Sequence, residues 1–202
     1  MSAELFFVYD SHCPWSYAST PLVNEIANAF PDIIINLFHC ARYEADDKIS
    51  SATISAVTTD SAATFSTAYQ KQLKQNVDSV MTANLMAWVD QKSPHASIAL
   101  LNALQEAHFQ QGKPLNTKEE FEDIIAELKL SPPSKVFTNK KLSKDAEIAV
   151  HDIFELQEII NTQAIPALLL AVGENLIMLN HNLYLPTPAS IVDAVAQELN
   201  NE

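Results

Sequence analysis

The chain has 202 residues, of which 48% are hydrophobic and 18% charged, a composition typical of a globular protein and one that excludes disorder as the main state. Its 25 acidic and 12 basic side chains give a formal net charge of −13, which argues against nucleic acid or an anionic membrane as a partner because both bind basic surfaces. Only two glycines and two cysteines are present, which excludes Gly-rich nucleotide-binding loops and a disulfide framework.

The first forty residues are predicted to form a βαβ unit. Residues 5–9 are a continuous apolar run, typical of a strand buried on both faces, and residues 33–38 are a second such run. Between them, residues 17–30 show helical periodicity, with Leu22 and Ile26 on one face. A unit of this kind makes a right-handed crossover between parallel strands.

The middle of the chain, from about residue 60 to residue 160, shows helical periods and no convincing strand. One helix is predicted to begin at Ser93, to carry His108 on its apolar stripe and to end at Gly112. Thr117 opens a capping box at the start of another. A helical block of this length is too long for a loop, so we expect it to pack as a layer or subdomain of its own.

Strands return only near the end of the chain. A helix is predicted over residues 143–160, followed by strands over residues 167–172 and 175–179 that Gly173 joins as a hairpin. Thr187 then precedes a final amphipathic helix. The order is therefore β-α-β, a helical block, and β-β-α, which predicts an α/β fold.

Cys13 lies where a buried strand passes into a helix. Unpaired backbone N–H groups and the helix dipole favour a thiolate at that position, so we expect the pKa of Cys13 to fall and its thiol to react at neutral pH. Pro14 suits the first helical turn because it has no N–H to leave unpaired. The alternative is a cysteine that merely packs under the loop, since free cysteine is among the most buried residue types.

Two segments carry a resemblance to a known family. Residues 10–17, DSHCPWSY, resemble the active-site segment of the DsbA-like branch of the thioredoxin superfamily, and residues 161–167, NTQAIPA, resemble its second signature, a proline just before the third core strand. The order of the elements is also the family's order. The resemblance therefore implies a thioredoxin fold, with residues 1–45 and 150–202 in a thioredoxin-like domain and residues 46–149 in a large all-helical insertion.

The resemblance also implies a chemistry and a substrate site. Cys13 would be the nucleophile of a thiol–disulfide oxidoreductase or isomerase, and Pro166 would be cis and face it. The backbone of Ile165 would pair with a bound peptide or glutathione, and Pro14 and Trp15 would belong to the same substrate site. The expected partners are protein thiols and disulfides or glutathione, with glutathione as a co-substrate and no bound cofactor.

The chain departs from the family at Ser16, where dithiol members carry a second cysteine. A Cys-x-x-Cys pair resolves its own mixed disulfide by intramolecular attack, which Cys13 with Ser16 cannot do. The Ser16 hydroxyl is still expected to donate a hydrogen bond to the Cys13 thiolate and so to keep its pKa low. We therefore predict a monothiol mechanism, in which a second thiol such as glutathione resolves the mixed disulfide.

Other residues near these motifs have simpler interpretations. Cys40 follows the second strand, at a distance from Cys13 that we expect to exceed the roughly 7 Å that a disulfide allows, so it is predicted to be a packed core thiol. His12 either modulates the Cys13 thiolate or is an exposed loop histidine. The pairs His12–Cys13 and His39–Cys40 match no zinc-ligand spacing, so no metal site is expected.

Two other functions remain open. Kappa-class glutathione transferases and hydroxychromene carboxylate isomerases have the same helical insertion and use a serine near this position to activate glutathione, a role that Ser16 fits. A non-catalytic binding module that has lost its second cysteine is the other alternative. The start of the chain shows no secretory signal, and no eighteen apolar residues follow one another, so we expect a cytoplasmic protein; the oligomeric state stays open.

Overall fold

Four strands form a single mixed sheet in the computed structural model, which describes residues 3–44, 46–138 and 140–200. Along the sheet the order is β2-β1-β3-β4, with β1 and β2 parallel and the other neighbouring pairs antiparallel. The predicted strands are confirmed to within two residues at each end; β1 and β3 are largely buried, whereas β2 is only partly buried and β4 is mostly exposed. Their bounds are β1 (Ala3–Tyr9), β2 (Ile34–His39), β3 (Ala167–Val172) and β4 (Asn175–Met178).

Helices α1 (Pro14–Ala29) and α9 (Ile191–Asn200) pack against each other, as expected of the βαβ and ββα halves. The other α-helices of the described chain lie between β2 and β3, where the sequence predicts a helical block. They are α2 (Ser51–Asp60), α3 (Thr67–Gln72), α4 (Val80–Lys92), α5 (Ser97–Gln105), α6 (Glu122–Glu127), α7 (Lys135–Thr138) and α8 (Lys144–Ile159). The division of the chain into two domains at residues 46 and 149 stays a prediction.

Local capping signals account for several of the helix starts. Ser143 caps α8 by accepting a hydrogen bond from the backbone N–H of Ala146, and the predicted capping box of Thr117 and Glu120 is present. None of the described helices is both long enough and apolar enough to cross a membrane.

The predicted helix from Ser93 to Gly112 differs from what is observed. It is divided into a 3₁₀ turn (Pro94–Ala96), α5, and a π-helical turn (Glu106–Gln110), in which the Gln111 N–H bonds to the Glu106 carbonyl, five residues back. The extra residue turns Ala107, His108 and Phe109, which are consecutive, all into the interior. Gly112 ends the segment with φ of +72°, a backbone conformation that favours glycine.

One apolar core joins the sheet to the helical block. It includes Leu5 and Leu168 from the sheet, Leu22 from α1, Leu101 from α5 and Phe121 before α6, all fully buried. Burial of this kind is the main favourable term in folding, so the helical block is held on the sheet by apolar contact. This packing places residues of the helical block against the start of α1, where Cys13 lies.

Candidate active site around Cys13

Cys13 is the N-cap residue of α1, which begins three residues earlier than the sequence periodicity predicts. Its carbonyl accepts the first helical hydrogen bond, from the Tyr17 N–H at 2.9 Å, and its own N–H donates to the Asp10 carbonyl at 3.1 Å. Pro14 occupies the first helical position, as its fixed φ and missing N–H favour. The thiol therefore lies at the helix start, and only 4% of the residue is exposed.

The surroundings of the thiol oppose its ionisation. Burial raises the pKa of Cys13 above its ordinary value, since a closed, apolar environment removes the water that solvates a thiolate, and the charge of Asp10 raises it further. Hydrogen bonds from the Ser16 hydroxyl, the Ser16 backbone N–H and Tyr43 lower the pKa, but burial outweighs them. The prediction that the pKa of Cys13 falls is therefore wrong, although the predicted hydrogen bond from Ser16 is present.

Ser16 is completely buried beside Cys13 on the first turn of α1. Its hydroxyl oxygen accepts a hydrogen bond from the backbone N–H of Asp10 at 3.3 Å, and the hydroxyl donates a hydrogen bond to the Cys13 sulfur. Both hydrogen-bonding functions of the hydroxyl are thus used inside the protein. This residue fixes the loop before α1 as well as the thiol.

Asp10 is a buried carboxylate that organises the same loop, a role that the sequence analysis did not assign to it. One carboxylate oxygen accepts a hydrogen bond from the His12 N–H at 2.8 Å and the other from the Arg42 N–H at 2.7 Å. Burial alone would raise the pKa of Asp10, but the neighbouring His39 and His12, with these donors, bring it well below its usual range. Asp10 therefore joins the loop before α1 to the segment that follows β2.

His12 is buried and is not the exposed loop histidine that the sequence left as one alternative. Its Nε2 lies 3.2 Å from the Pro114 carbonyl oxygen, and its Nδ1 lies 3.4 Å from the Ser79 hydroxyl and 3.6 Å from an Asp10 carboxylate oxygen. These contacts join the loop of Cys13 to two parts of the helical block. A role of His12 in modulating the thiolate stays a prediction.

Two more histidines near the loop are buried and neutral. His39 Nε2 accepts a hydrogen bond from the Ser11 N–H at 3.2 Å, and burial lowers the pKa of His39 to about 4. His108 has Nδ1 2.9 Å from the Lys113 carbonyl oxygen, and burial lowers its pKa to about 3. Nδ1 of His108 is thus the N–H donor, which leaves Nε2 buried with no partner among the described atoms.

Aromatic side chains from α1, from the segment after β2 and from the helical block lie near the thiol. The Tyr43 hydroxyl hydrogen-bonds to the Cys13 sulfur, and burial raises the pKa of both Tyr43 and Tyr69 far above its ordinary value. Tyr69 packs edge-on against His108, with ring centroids 5.0 Å apart, and Tyr17 stacks on Phe109 at 4.5 Å. Tyr69, Phe109, Tyr17 and Tyr43 belong to one apolar cluster.

Trp15, Ile165 and Pro166 line one groove of about 550 Å³ beside the helix start. The Ile165–Pro166 peptide bond is cis, as the resemblance implies. We call this cavity the Trp15 groove; the other residues that line it are Asp60, Ala164, His181, Asn182 and Leu185. Pro14 is buried in the first turn of α1 rather than in the lining of this groove.

Cys40 is a packed thiol, as predicted. It lies half-buried against a small apolar cluster that includes Ile153 and Ile165, and its backbone N–H donates to the Tyr9 carbonyl at 2.8 Å. Cys13 and Cys40 are both free, and burial raises the pKa of Cys40 well above its ordinary value. Within the described ranges, no three His, Cys, Asp or Glu side chains are arranged to hold a metal ion.

Comparison with known proteins shows likeness in structure but not in sequence. No protein-family model matches the chain, and no curated protein sequence matches it. Its structure is similar to that of the cytosolic disulfide reductase DsbM from Pseudomonas aeruginosa, with a TM-score of 0.85 at 16% identity over 98% of this chain and 100% of that chain. The same protein with GSH gives a TM-score of 0.80 at 16% identity, over 97% of this chain and 98% of that chain.

Two further structures extend this likeness. A proposed protein disulfide isomerase from Nitrosomonas europaea gives a TM-score of 0.73 at 15% identity, over 98% of this chain and 99% of that chain. The oxidoreductase NmDsbA1 from N. meningitidis gives a TM-score of 0.52 at 14% identity, over 99% of this chain and 84% of that chain. The chain therefore has the α/β DsbA-like thioredoxin fold that the resemblance implies.

Proposed function

We propose that this chain is a thiol–disulfide oxidoreductase that works through a single thiol, Cys13. The observation that carries the proposal is the position of Cys13 at the N-cap of α1, with its sulfur hydrogen-bonded by the hydroxyl and the N–H of Ser16. Ser16 stands where dithiol members of the family carry their second cysteine. The similar structures described as a disulfide reductase and an isomerase support this chemistry.

The proposed reaction reduces a mixed disulfide in two exchange steps. The Cys13 thiolate attacks one sulfur of the substrate disulfide; the old S–S bond breaks, and the released thiolate takes up a proton. A glutathione thiolate then attacks the substrate-derived sulfur of this mixed disulfide; the bond to Cys13 breaks, Cys13 leaves as a thiolate that takes up a proton, and glutathione is joined to the substrate-derived group as a disulfide. Glutathione supplies the electrons, and it is the thiol that the similar DsbM structure contains.

Ser16 assists both exchange steps, but it cannot act as the second thiol that resolves the mixed disulfide. Its hydroxyl stabilises the Cys13 thiolate when that thiolate attacks and again when it leaves. Because the same hydroxyl is buried and already engaged with Asp10 and Cys13, it is badly placed to activate the thiol of a bound glutathione. The geometry therefore favours thiol exchange over a transferase or isomerase of the kappa-class type.

The substrate is proposed to bind in the Trp15 groove. Trp15 lies two residues after Cys13 and offers an apolar surface, and the backbone of Ile165 before the cis-proline is the proposed pairing partner for an extended peptide. Pro14 fixes the first turn that presents the thiol. A cytoplasmic location, where thiols are kept reduced, fits this chemistry and the cytosolic DsbM to which the fold is similar.

The test is the intact mass of the protein after incubation with oxidised glutathione. The wild type and Cys40→Ser, a matched control that keeps Cys13, are expected to gain one glutathionyl group, and Cys13→Ser none. Since burial raises the pKa of Cys13, the rate of adduct formation is expected to increase with pH up to and beyond 9. Absence of any adduct, or an adduct that requires Cys40, would contradict the proposal.

A further inference from the structure

The described lining of the Trp15 groove carries a negative charge with no positive charge to balance it. Among the described residues that line it, Asp60 is the one with a formal charge at neutral pH. The other polar side chains are the amide of Asn182 and the imidazole of His181, and burial lowers the pKa of His181, so that its ring is neutral at pH 7. The groove therefore offers a carboxylate and no cation.

Asp60 is the last residue of α2, and the chain just after it is joined to the opposite wall of the groove. Two residues later the Ala62 N–H donates a hydrogen bond to the carbonyl of Leu185, which also lines the groove, at 2.9 Å. The C-terminal end of a helix carries partial negative charge, and the last turn of α2 has no basic side chain to balance it. Asp60 has no ion pair within the described part of the chain.

We propose that Asp60 is a specificity-determining residue that selects disulfides flanked by a cationic group, so that the preferred substrate is a peptide or protein disulfide with a lysine or arginine beside its cysteine. This inference rests on the proposed function, because it concerns the substrate of Cys13. An ammonium or guanidinium group finds an opposite charge in the groove, whereas an anionic group finds only repulsion.

Glutathione is the less favoured occupant of the same groove. It carries two carboxylates and one ammonium group, and the described lining provides an opposite charge for the ammonium group alone. Glutathione then enters the reaction as the second, attacking thiol, which has to reach the mixed disulfide but does not have to occupy the groove. The size of the groove, about 550 Å³, admits an extended peptide segment.

The effect of one exposed carboxylate is moderate. Ion pairs between exposed groups contribute little because water and salt screen them, so the rate advantage that Asp60 gives to a cationic disulfide is expected to be about two- to five-fold at low salt. The same advantage is expected to disappear at high salt.

The experiment compares three small symmetric disulfides that differ in charge: cystamine, which is cationic, 2-hydroxyethyl disulfide, which is neutral, and 3,3′-dithiodipropionate, which is anionic. The rate constant for the mixed disulfide at Cys13 is measured for each by intact mass. In Asp60→Asn the ratio of the cystamine rate to the hydroxyethyl rate is expected to fall about two- to five-fold relative to wild type. In Asp60→Lys the order of the cationic and anionic disulfides is expected to reverse.

Asp32→Asn is the matched control. Asp32 is an exposed acid after the C-terminal end of α1, at the far end of that helix from Cys13, and its replacement changes the net charge by the same amount. An unchanged ratio in Asp32→Asn supports the inference; an equal fall in both variants would overturn it, because the net charge of −13 would then suffice. If no disulfide reacts at Cys13 of the wild type, the proposed function itself fails.

Discussion

Mild acid is expected to destabilise the fold through the neutral histidines buried beside the site. The pKa of His108 falls from 6.5 to about 3 and that of His39 to about 4 because both rings are buried. A lowered pKa means that the unfolded chain binds protons that the folded protein does not, between pH 6.5 and the folded value. Stability from these groups is therefore complete above pH 6.5 and is lost as the pH falls.

The size of the loss follows from these pKa values. Between pH 7 and pH 5, proton binding to the unfolded chain costs about 1.9 kcal/mol at His108 and about 1.8 kcal/mol at His39. Asp90 opposes this loss only in part: its pKa is raised to about 6, so that the folded protein takes up a proton in the same pH range, but its side chain is exposed and solvent screens the effect. The loss at the two histidines, about 3.7 kcal/mol before that offset, is a large part of a typical stability of about 5–15 kcal/mol.

The variant His108→Asn isolates the contribution of His108 to the loss of stability in acid. Its amide can still donate a hydrogen bond to the Lys113 carbonyl oxygen, but it has no proton to gain at pH 5. The free energy of unfolding is measured with urea at pH 8, 7 and 5, by tryptophan fluorescence and circular dichroism. We expect the variant to lose about 1.9 kcal/mol less than wild type between pH 7 and 5, and to parallel it between pH 8 and 7. Equal acid losses in the two proteins would refute a buried neutral His108.

Three further substitutions test the site and the fold. Ser16→Ala removes a hydrogen bond from the Cys13 sulfur, so the pKa of the thiol should rise further and iodoacetamide should alkylate it more slowly at pH 8. Asp10→Asn removes a nearby negative charge, so the same assay should show a lower pKa of Cys13, while urea unfolding shows a loss of about 1–3 kcal/mol from weakened loop hydrogen bonds. Gly112→Ala should cost about 1–3 kcal/mol in the same unfolding assay, because its φ is +72° and its Cβ would lie 2.8 Å from the Ala68 carbonyl carbon; an unchanged midpoint would contradict that conformation.

The elements that the sequence predicts correctly are those with local causes. A buried apolar run marks β1, Gly173 supplies the positive φ of +58° that the β3–β4 turn adopts, and Ser143 caps α8 with its own side chain. The helix predicted to end at Gly112 is different, because its π-helical turn depends on packing. His108 and Phe109 are neighbours in sequence, and both are buried only because an extra residue in the turn directs both rings inward.

The candidate site likewise has a part that the sequence predicts and a part that it does not. The motif and the family resemblance predict Cys13, Ser16, Trp15 and Pro166 as site residues, and the structure places these residues around one helix start and the adjoining groove. The contacts that join the loop of Cys13 to the helical block are not predicted, since their partners come from distant parts of the chain. His12, for example, contacts Ser79 and Pro114, which lie 67 and 102 residues away in the sequence. No single-sequence pattern indicates such a contact.

The prediction that the pKa of Cys13 falls is wrong for the same reason, because the opposing groups depend on tertiary packing. The pKa of this thiol also bears on the direction of electron flow. A helix start and a Ser16 hydrogen bond stabilise a thiolate, and both are visible in the sequence; the burial of the thiol and the nearby charge of Asp10, which oppose them, are not. In this fold a strongly stabilised thiolate makes a thiol–disulfide enzyme an oxidant, because the reduced state is then favoured over the mixed disulfide. Burial removes that advantage from Cys13. The raised pKa of Cys13 is consistent with the proposed direction of the reaction, the reduction of a substrate disulfide.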